Sequence, residues 1–282
     1  MLRPNPFRPV CLLACLSGMA VATATAAWTP QVDVGYVRND NVSNSIRAER
    51  EDEAITAAVD FSSLRVVNRD WQSNITVGAD TTAWRKFSGL NLSQFHATFG
   101  LRRKFGLGPY ATKLDLRAQG FHQEAKTSPW SGQGYEVTAA VQKRFSPAFS
   151  GSLTGALKRF DSRRAVYSGT HATLTAAISY DLTPDWRFSA SVFYRDGDQL
   201  SWCKESFPEF AGQGPQWRDG IFGGDWFPYQ SEGHTRGANL GIARALGDRS
   251  AASVNWGTSE SRAPKGHVYR NEIVSFNLTH AF

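Results

Sequence analysis

Residues 113–120, KLDLRAQG, set the strictest limit on what this chain can fold into. Read at period two, Leu114, Leu116 and Ala118 share one face, while Lys113, Asp115, Arg117 and Gln119 share the other. That is the pattern of a β-strand with unlike surroundings on its two sides. The polar side carries full charges in mid-strand. Burying them in a dry core would cost several kcal/mol for each unpaired ion, an order-of-magnitude figure, whereas a water-filled interior accepts them. The polar face is therefore read as inward, toward a wet lumen, and the apolar face as outward, toward lipid.

The same phase recurs along the chain. In WRFSASVFYR, Trp186, Phe188, Ala190, Val192 and Tyr194 oppose Arg187, Ser189, Ser191 and Arg195, so the apolar face begins and ends in aromatics. HATLTAAISY sets Leu174, Ile178 and Tyr180 against His171, Thr173 and Ser179, and FSGSLTGALK sets Phe149, Leu153 and Leu157 against Ser150, Thr154 and Lys158. Segments of this kind predict strands at 31–39, 53–64, 71–84, 91–104, 110–123, 133–145, 149–160, 171–181, 186–196, 235–246, 250–260 and 269–282. The even-numbered connections are short (RVVNRD, FGLGP, SPA, LTPD, GDRS). The odd-numbered ones are mostly longer, up to the stretch spanning 197–234. Short turns alternating with long loops are what an even-stranded barrel with both termini in the periplasm requires. The fold expected is all-β: a transmembrane antiparallel up-and-down barrel of about 12 strands, with short periplasmic turns and long extracellular loops.

The ends of the chain agree. Arg3 and Arg8, a short apolar run from Val10 to Val21 and the small residues Ala24-Thr25-Ala26 read as a secretory signal peptide over residues 1–27, leaving a barrel domain at 28–282. Cys11 and Cys15 leave with the leader, and Cys203 alone cannot form an intrachain disulfide. After the leader no stretch is long and apolar enough for a membrane-spanning helix, but a barrel hides from that test because only alternate residues meet lipid. The 25 Gly, 9 Trp, 18 Phe and 8 Tyr suit such a wall better than a soluble enzyme.

The chain ends NEIVSFNLTHAF, with Val274, Phe276, Leu278, His280 and Phe282 on one face. This resembles the closing strand that Gram-negative outer-membrane β-barrels present to their assembly machinery, except that His280 stands where an aromatic residue is usual. With VDVGYVRNDNVSNS near the start, the chain is similar to a poorly characterised group of porin-like barrels. Similar endings occur in barrels attached to polysaccharide-export and surface-lipoprotein systems. The resemblance implies an outer-membrane location and engagement of the assembly machinery through Phe276, Leu278 and Phe282.

Lumen-lining candidates are Asp80, His96, Arg102, Lys113, Asp115, Arg117, Glu136, Lys158, Arg187 and Arg195, joined by Lys104, Arg144, Asp33, Asp60 and Asp181, a set with a slight cationic excess. The ninth connection holds Trp202, Trp217, Phe222, Trp226 and Tyr229, together with Phe207 and Phe210. So many aromatics are expected to pack on themselves, over the rim or into the lumen, either constricting the pore or stacking a ligand; GIFGG within it reads as flexibility. His122 and His96 read as members of a polar network. His234, near Ser231 and Asn239, raises rim-located lipid hydrolysis as an unfavoured alternative. No metal-ligand spacing, no phosphate loop and no nucleic-acid-reading motif occurs, so no catalytic residue, metal or cofactor is expected. Loop cations, among them Arg47, Arg50, Arg85, Lys86, Arg163, Arg164, Lys265 and Arg270, are placed to meet lipopolysaccharide phosphates. The expected function is a channel for small polar solutes or an exported polymer. The alternative is a plugged accessory barrel of an envelope or polysaccharide system.

Overall fold

The computed structural model describes residues 27–46, 49–204, 218–264 and 267–282; the leader, Arg47, Phe207, Phe210, Trp217 and Lys265 lie outside the described residues. The strands are β1 (Thr29–Asn39), β2 (Asp52–Val66), β3 (Trp71–Trp84), β4 (Leu92–Phe105), β5 (Thr112–Ala125), β6 (Gly132–Arg144), β7 (Phe149–Ser162), β8 (Gly169–Asp181), β9 (Trp186–Lys204), β10 (Trp226–Ala245), β11 (Ser250–Arg262) and β12 (Val268–Ala281). Each pairs with its sequence neighbour, and β12 returns to β1, so the sheet closes on itself as a barrel. The closing seam is antiparallel, from Gln31 opposite Ala281 to Asn39 opposite Ile273. Past the strand, the Phe282 N–H donates to the Pro30 carbonyl at 3.0 Å. Closure leaves no unpaired strand edge, which is what lets a sheet stand in hydrocarbon.

The alternation read from the sequence is the alternation of the wall. Val34, Phe95, Leu153, Leu174, Val192, Leu240, Val254 and Phe276 are all exposed on the outer face, a display that a water-soluble monomer avoids. Aromatics gather at the short-turn end, where Arg103 lies 4.8 Å from the Phe105 ring and Arg244 lies 5.2 Å from the Trp186 ring. Cations over rings in this position hold the amphipathic side chains of an interfacial belt. His280 belongs to the same outer face: its Nδ1 is 2.8 Å from Ser250 Oγ, and its ring packs edge-on against Phe282 at 4.6 Å.

The main departure from expectation is at the long connection. β9 runs on to Lys204 and β10 begins at Trp226, so much of 197–234 is a paired hairpin rather than a loop, with Trp202, Trp226 and Tyr229 in its strands. It leaves the wall at Gly197, whose φ of 128° suits glycine, and which sits opposite Gly233. A Cβ at Gly197 would run into the Thr170 carbonyl and His171. The hairpin bends inward, and here the molecule has its dry core. Trp202, Phe222 and Trp226 pack on Val42, Leu90, Val166 and Tyr167, which come from the first, third and seventh connections. Ile221 and Phe222 of GIFGG join this cluster, so that segment is packed rather than flexible.

Candidate functional site: mouth and lumen

The cap over the long-loop mouth is latched by Asp219. One carboxylate oxygen accepts from Tyr167 Oη (2.7 Å) and from Trp202 Nε1 (2.8 Å), and the other accepts the Ile221 N–H (2.9 Å). Burial, with the bond to Asp219 second, holds the Tyr167 hydroxyl protonated well above the ordinary phenol range. The first connection ties the other edge: the Trp202 N–H donates to the Ser43 carbonyl at 2.9 Å, and Asn44 Nδ2 donates to the Leu200 carbonyl at 2.9 Å. Asn41, fully buried, shapes that connection by donating to the Ser45 carbonyl (2.9 Å) and the Arg270 carbonyl (3.0 Å). Asp52 fastens the third connection by accepting the N–H groups of Lys86 (3.0 Å) and Phe87 (2.8 Å). The asparagines and the two aspartates were not among the sequence candidates. The asparagines' only local signal was the Asn/Ser-rich NDNVSNS, a composition suited to side-chain-to-backbone turns, and the two aspartates had none.

Below the cap the inner wall is mostly polar, with Phe121 and Phe160 among its apolar members. Asp80, His96, Arg102, Lys113, Asp115, Arg117, Glu136, Lys158, Arg187 and Arg195 all share the face opposite the lipid-facing side chains of their strands. The structure brings several together. His96 Nε2 is 3.0 Å from Asp60, and its Nδ1 is 3.7 Å from Asp80, a bridge across β2, β3 and β4. Gly78 makes room for it, since a Cβ there would meet both the Asp60 carboxylate and the His96 ring. Arg102 Nε donates to the buried Asp115 at 2.6 Å. Near the short-turn end Asp181 takes both Arg187 (2.6 Å) and Arg144 (3.3 Å). Lys113, Arg117, Lys158 and Arg195 have no carboxylate within ion-pair distance among the described residues. The charged residues line β1 to β9, whereas β10 to β12 offer the lumen Thr235, Asn239, Ser253, Asn255, Ser275 and Asn277. One side of the interior is thus ionic and the other neutral and hydrogen-bonding.

Among the described residues, two open volumes inside the barrel stand out. One of about 470 Å³ lies under the cap, with Trp130, Trp202, Lys158, Arg195 and Asn271 in its wall. The other, about 440 Å³, opens at the short-turn end beside Lys113, Arg144, Asp181 and Arg187.

Other sequence candidates are separated rather than assembled. His234 lies on the outer face, stacked on Tyr194 at 5.9 Å, while Ser231 and Asn239 belong to the opposite parity of β10. His122 faces outward too, bound to Glu124 at 2.9 Å, and is no part of the lumen network. Many loop cations are already paired: Arg85 with Glu53 (3.2 Å), Lys86 with Glu51 (3.1 Å), Arg163 with Glu124 (3.8 Å). Arg236, Arg262 and Arg270 converge on one carboxylate, Glu260, leaving that outer patch cationic.

With this geometry in hand, the solved structures it resembles can be compared. An outer-membrane channel from Pseudomonas putida F1 matches with a TM-score of 0.56 at 8% identity, covering 93% of this chain and 97% of that one. The chain has the fold of an outer-membrane porin-like barrel. The CymD monoaromatic hydrocarbon channel matches with a TM-score of 0.49 at 13% identity over 90% of this chain and 88% of that one. The KdgM porin matches at 0.45 and 9% identity over 89% and 99%. No family model matches this barrel, and no curated protein is similar to it in sequence.

Proposed function

We propose that this barrel is a non-enzymatic outer-membrane channel for small polar solutes, shut at its extracellular mouth by its own β9–β10 hairpin. The observation that carries the reading is an ionic inner wall with one open volume at the short-turn end and another beneath a dry aromatic cap built from the chain's own loops. A barrel that served only as a structural element would be expected to fill its interior with paired side chains; here Lys113, Arg117, Lys158 and Arg195 stand unpaired among the described residues. Their excess favours anions over cations in the conducting state. Fold likeness to a protein that is itself an outer-membrane channel supports the reading. An exported polymer would need the same hairpin to swing clear.

The cap is also the observation that favours a second reading, a plugged accessory barrel acting through envelope partners. In either case the leader would direct export of one barrel domain, Phe282 and its strand would engage the assembly machinery, and the arginines around Glu260 would meet lipopolysaccharide phosphate. Single-channel current from the refolded mature protein decides between the two readings. It should be compared with a variant in which residues 199–231 are replaced by an Asn-Gly turn, which suits a two-residue hairpin. A channel gated by the hairpin shows rare openings when intact and steady current when trimmed. Silence in both, with folding verified by heat-modifiable gel migration, overturns the channel.

A further inference from the structure

The uncharged side of the interior is built by one arrangement used four times. Four inward side chains each have a glycine directly opposite on the next strand: Phe193 of β9 faces Gly237, Asn239 of β10 faces Gly257, Asn255 of β11 faces Gly241, and Asn277 of β12 faces Gly35 of β1. Each lies down on the bare backbone, because a Cβ at the glycine would run into the Phe193 ring or into the amide of the asparagine. Glycine weakens a strand interior, and close approach of a neighbour is a common reason for its presence there. The positions between are short, with Ala243, Ser253 and Ser275. Gly78 and Gly100 make similar room beside His96 and Asn74, but on strands whose inward faces also carry charge, Asp80 and Arg102 among them.

Side chains that lie flat leave room, and these leave it against a wall without charge. Below the hairpin, β10, β11 and β12 bring no charged side chain to the lumen among the described residues, whereas the other half contributes Arg102, Lys104, Lys113 and Arg117, each longer than an asparagine. The open cross-section is thereby displaced from the barrel axis toward β10 to β12. Asn239 is exposed although it faces inward, so water reaches this side. A side-chain amide is donor and acceptor at once and carries no charge. Asn239 donates to Ser191 at 3.3 Å and Asn255 to Ser275 at 3.5 Å, while none of the three amide oxygens accepts a hydrogen bond among the described residues. An ion gains little from such a face and is drawn to the charges across from it. A solute rich in hydroxyls finds both donors and acceptors.

We infer that, once past the cap, uncharged polyols cross the barrel along this face, handed between Asn239, Asn255 and Asn277 by exchange of hydrogen bonds, while ions keep to the charged half. The inference rests on the channel reading and names a class of solute for it. Swelling of liposomes that hold the refolded mature protein, in iso-osmotic sorbitol, reads polyol entry, and reversal potential in a salt gradient reads the ions. Asn239→Leu, Asn255→Leu and Asn277→Leu together keep the volume and remove three hydrogen-bonding groups, so sorbitol entry should fall about fivefold or more, with reversal potential and ion conductance unchanged. Asn255→Leu alone should give a smaller fall, and it carries the test if heat-modifiable gel migration shows the triple variant unfolded. Lys113→Glu with Arg187→Glu should do the reverse, moving the reversal potential and leaving sorbitol entry as it was. Sorbitol entry indifferent to the asparagines, or entry and ion current falling together, overturns the lane. Ion current without sorbitol entry also overturns the lane and leaves the channel standing; absence of both current and entry overturns the channel and the lane with it.

Discussion

The two ends of this barrel are finished by opposite means. At the short-turn end the lumen opens onto Lys113, Arg144 and Arg187 with only Asp181 among them, and water reaches every charge. At the long-loop end Trp202 and Trp226 are 3% and 1% exposed, and some of the polar groups that go under with them are given a partner, Tyr167 and Trp202 on Asp219 and Asn41 on two carbonyls, while the Trp226 indole N–H has none among the described residues. The wall is the same repeating strand throughout, so the difference lies entirely in the connections. Turns of a few residues cannot cross the opening. A hairpin that bends at Gly197 can, and once there it buries its aromatic faces against its neighbours. On the channel reading proposed above, selection falls at the capped end, and the other end is a vestibule.

The largest test of this contrast is to unlatch the cap while keeping its aromatics. Asp219→Ala leaves the Trp202 Nε1–H and the Tyr167 hydroxyl buried with no acceptor, each at a cost of about 1–3 kcal/mol. The open population should rise by tenfold or more, with single-channel open probability as the readout. Unchanged open probability would mean that packing alone closes the mouth and that Asp219 is incidental.

How much of this could be read from residues differs between the ends in the same way. The wall was legible because one face of every strand meets lipid and the other water, so alternation survives in segments such as 171–181 and 186–196 almost residue for residue. In the hairpin both faces are packed: Trp202 and Trp226 lie in one cluster, Cys203, Phe227 and Tyr229 in another. With no wet face there is no period, and with Gly197 and Pro228 breaking the run, the extension reads as loop. The lumen set was legible by parity, but its pairings depend on register between strands. Asp60, Asp80 and His96 come from three strands and meet only once β2, β3 and β4 are aligned. Asp219 gave no signal at all, because the partners that define it, Tyr167 and Trp202, lie on other segments.

The vestibule offers a smaller effect of the opposite kind. Lys113→Glu combined with Arg187→Glu reverses the sign of the periplasmic entrance without touching the cap. Ion selectivity measured by reversal potential in a salt gradient should shift from anion toward cation, with open probability unchanged. A change of gating instead of selectivity would show that the two ends are coupled through the wall and would undo the separation drawn above.

The smallest expected effect asks whether surface ions contribute to the closed mouth. Glu51, in the first connection, is held below the ordinary carboxylate range, first by its hydrogen bonds to Lys86 and Arg38 and then by their charge. A carboxyl whose folded pKa is depressed contributes stability that is present above its unfolded value, 4.5 here, and is lost as pH falls through the folded value. The closed mouth should thus be insensitive to this pair from neutrality down to about pH 4.5 and loosen slightly below it. Because the ions are fully in water, their contribution is screened and small. Glu51→Gln should give at neutral pH the faint increase in current noise that the wild-type chain reaches only in acid. If that substitution opened the mouth as far as Asp219→Ala does, the weight assigned to the buried latch would belong to the surface instead, since an exposed pair can match a buried hydrogen-bond hub only if the hub holds almost nothing.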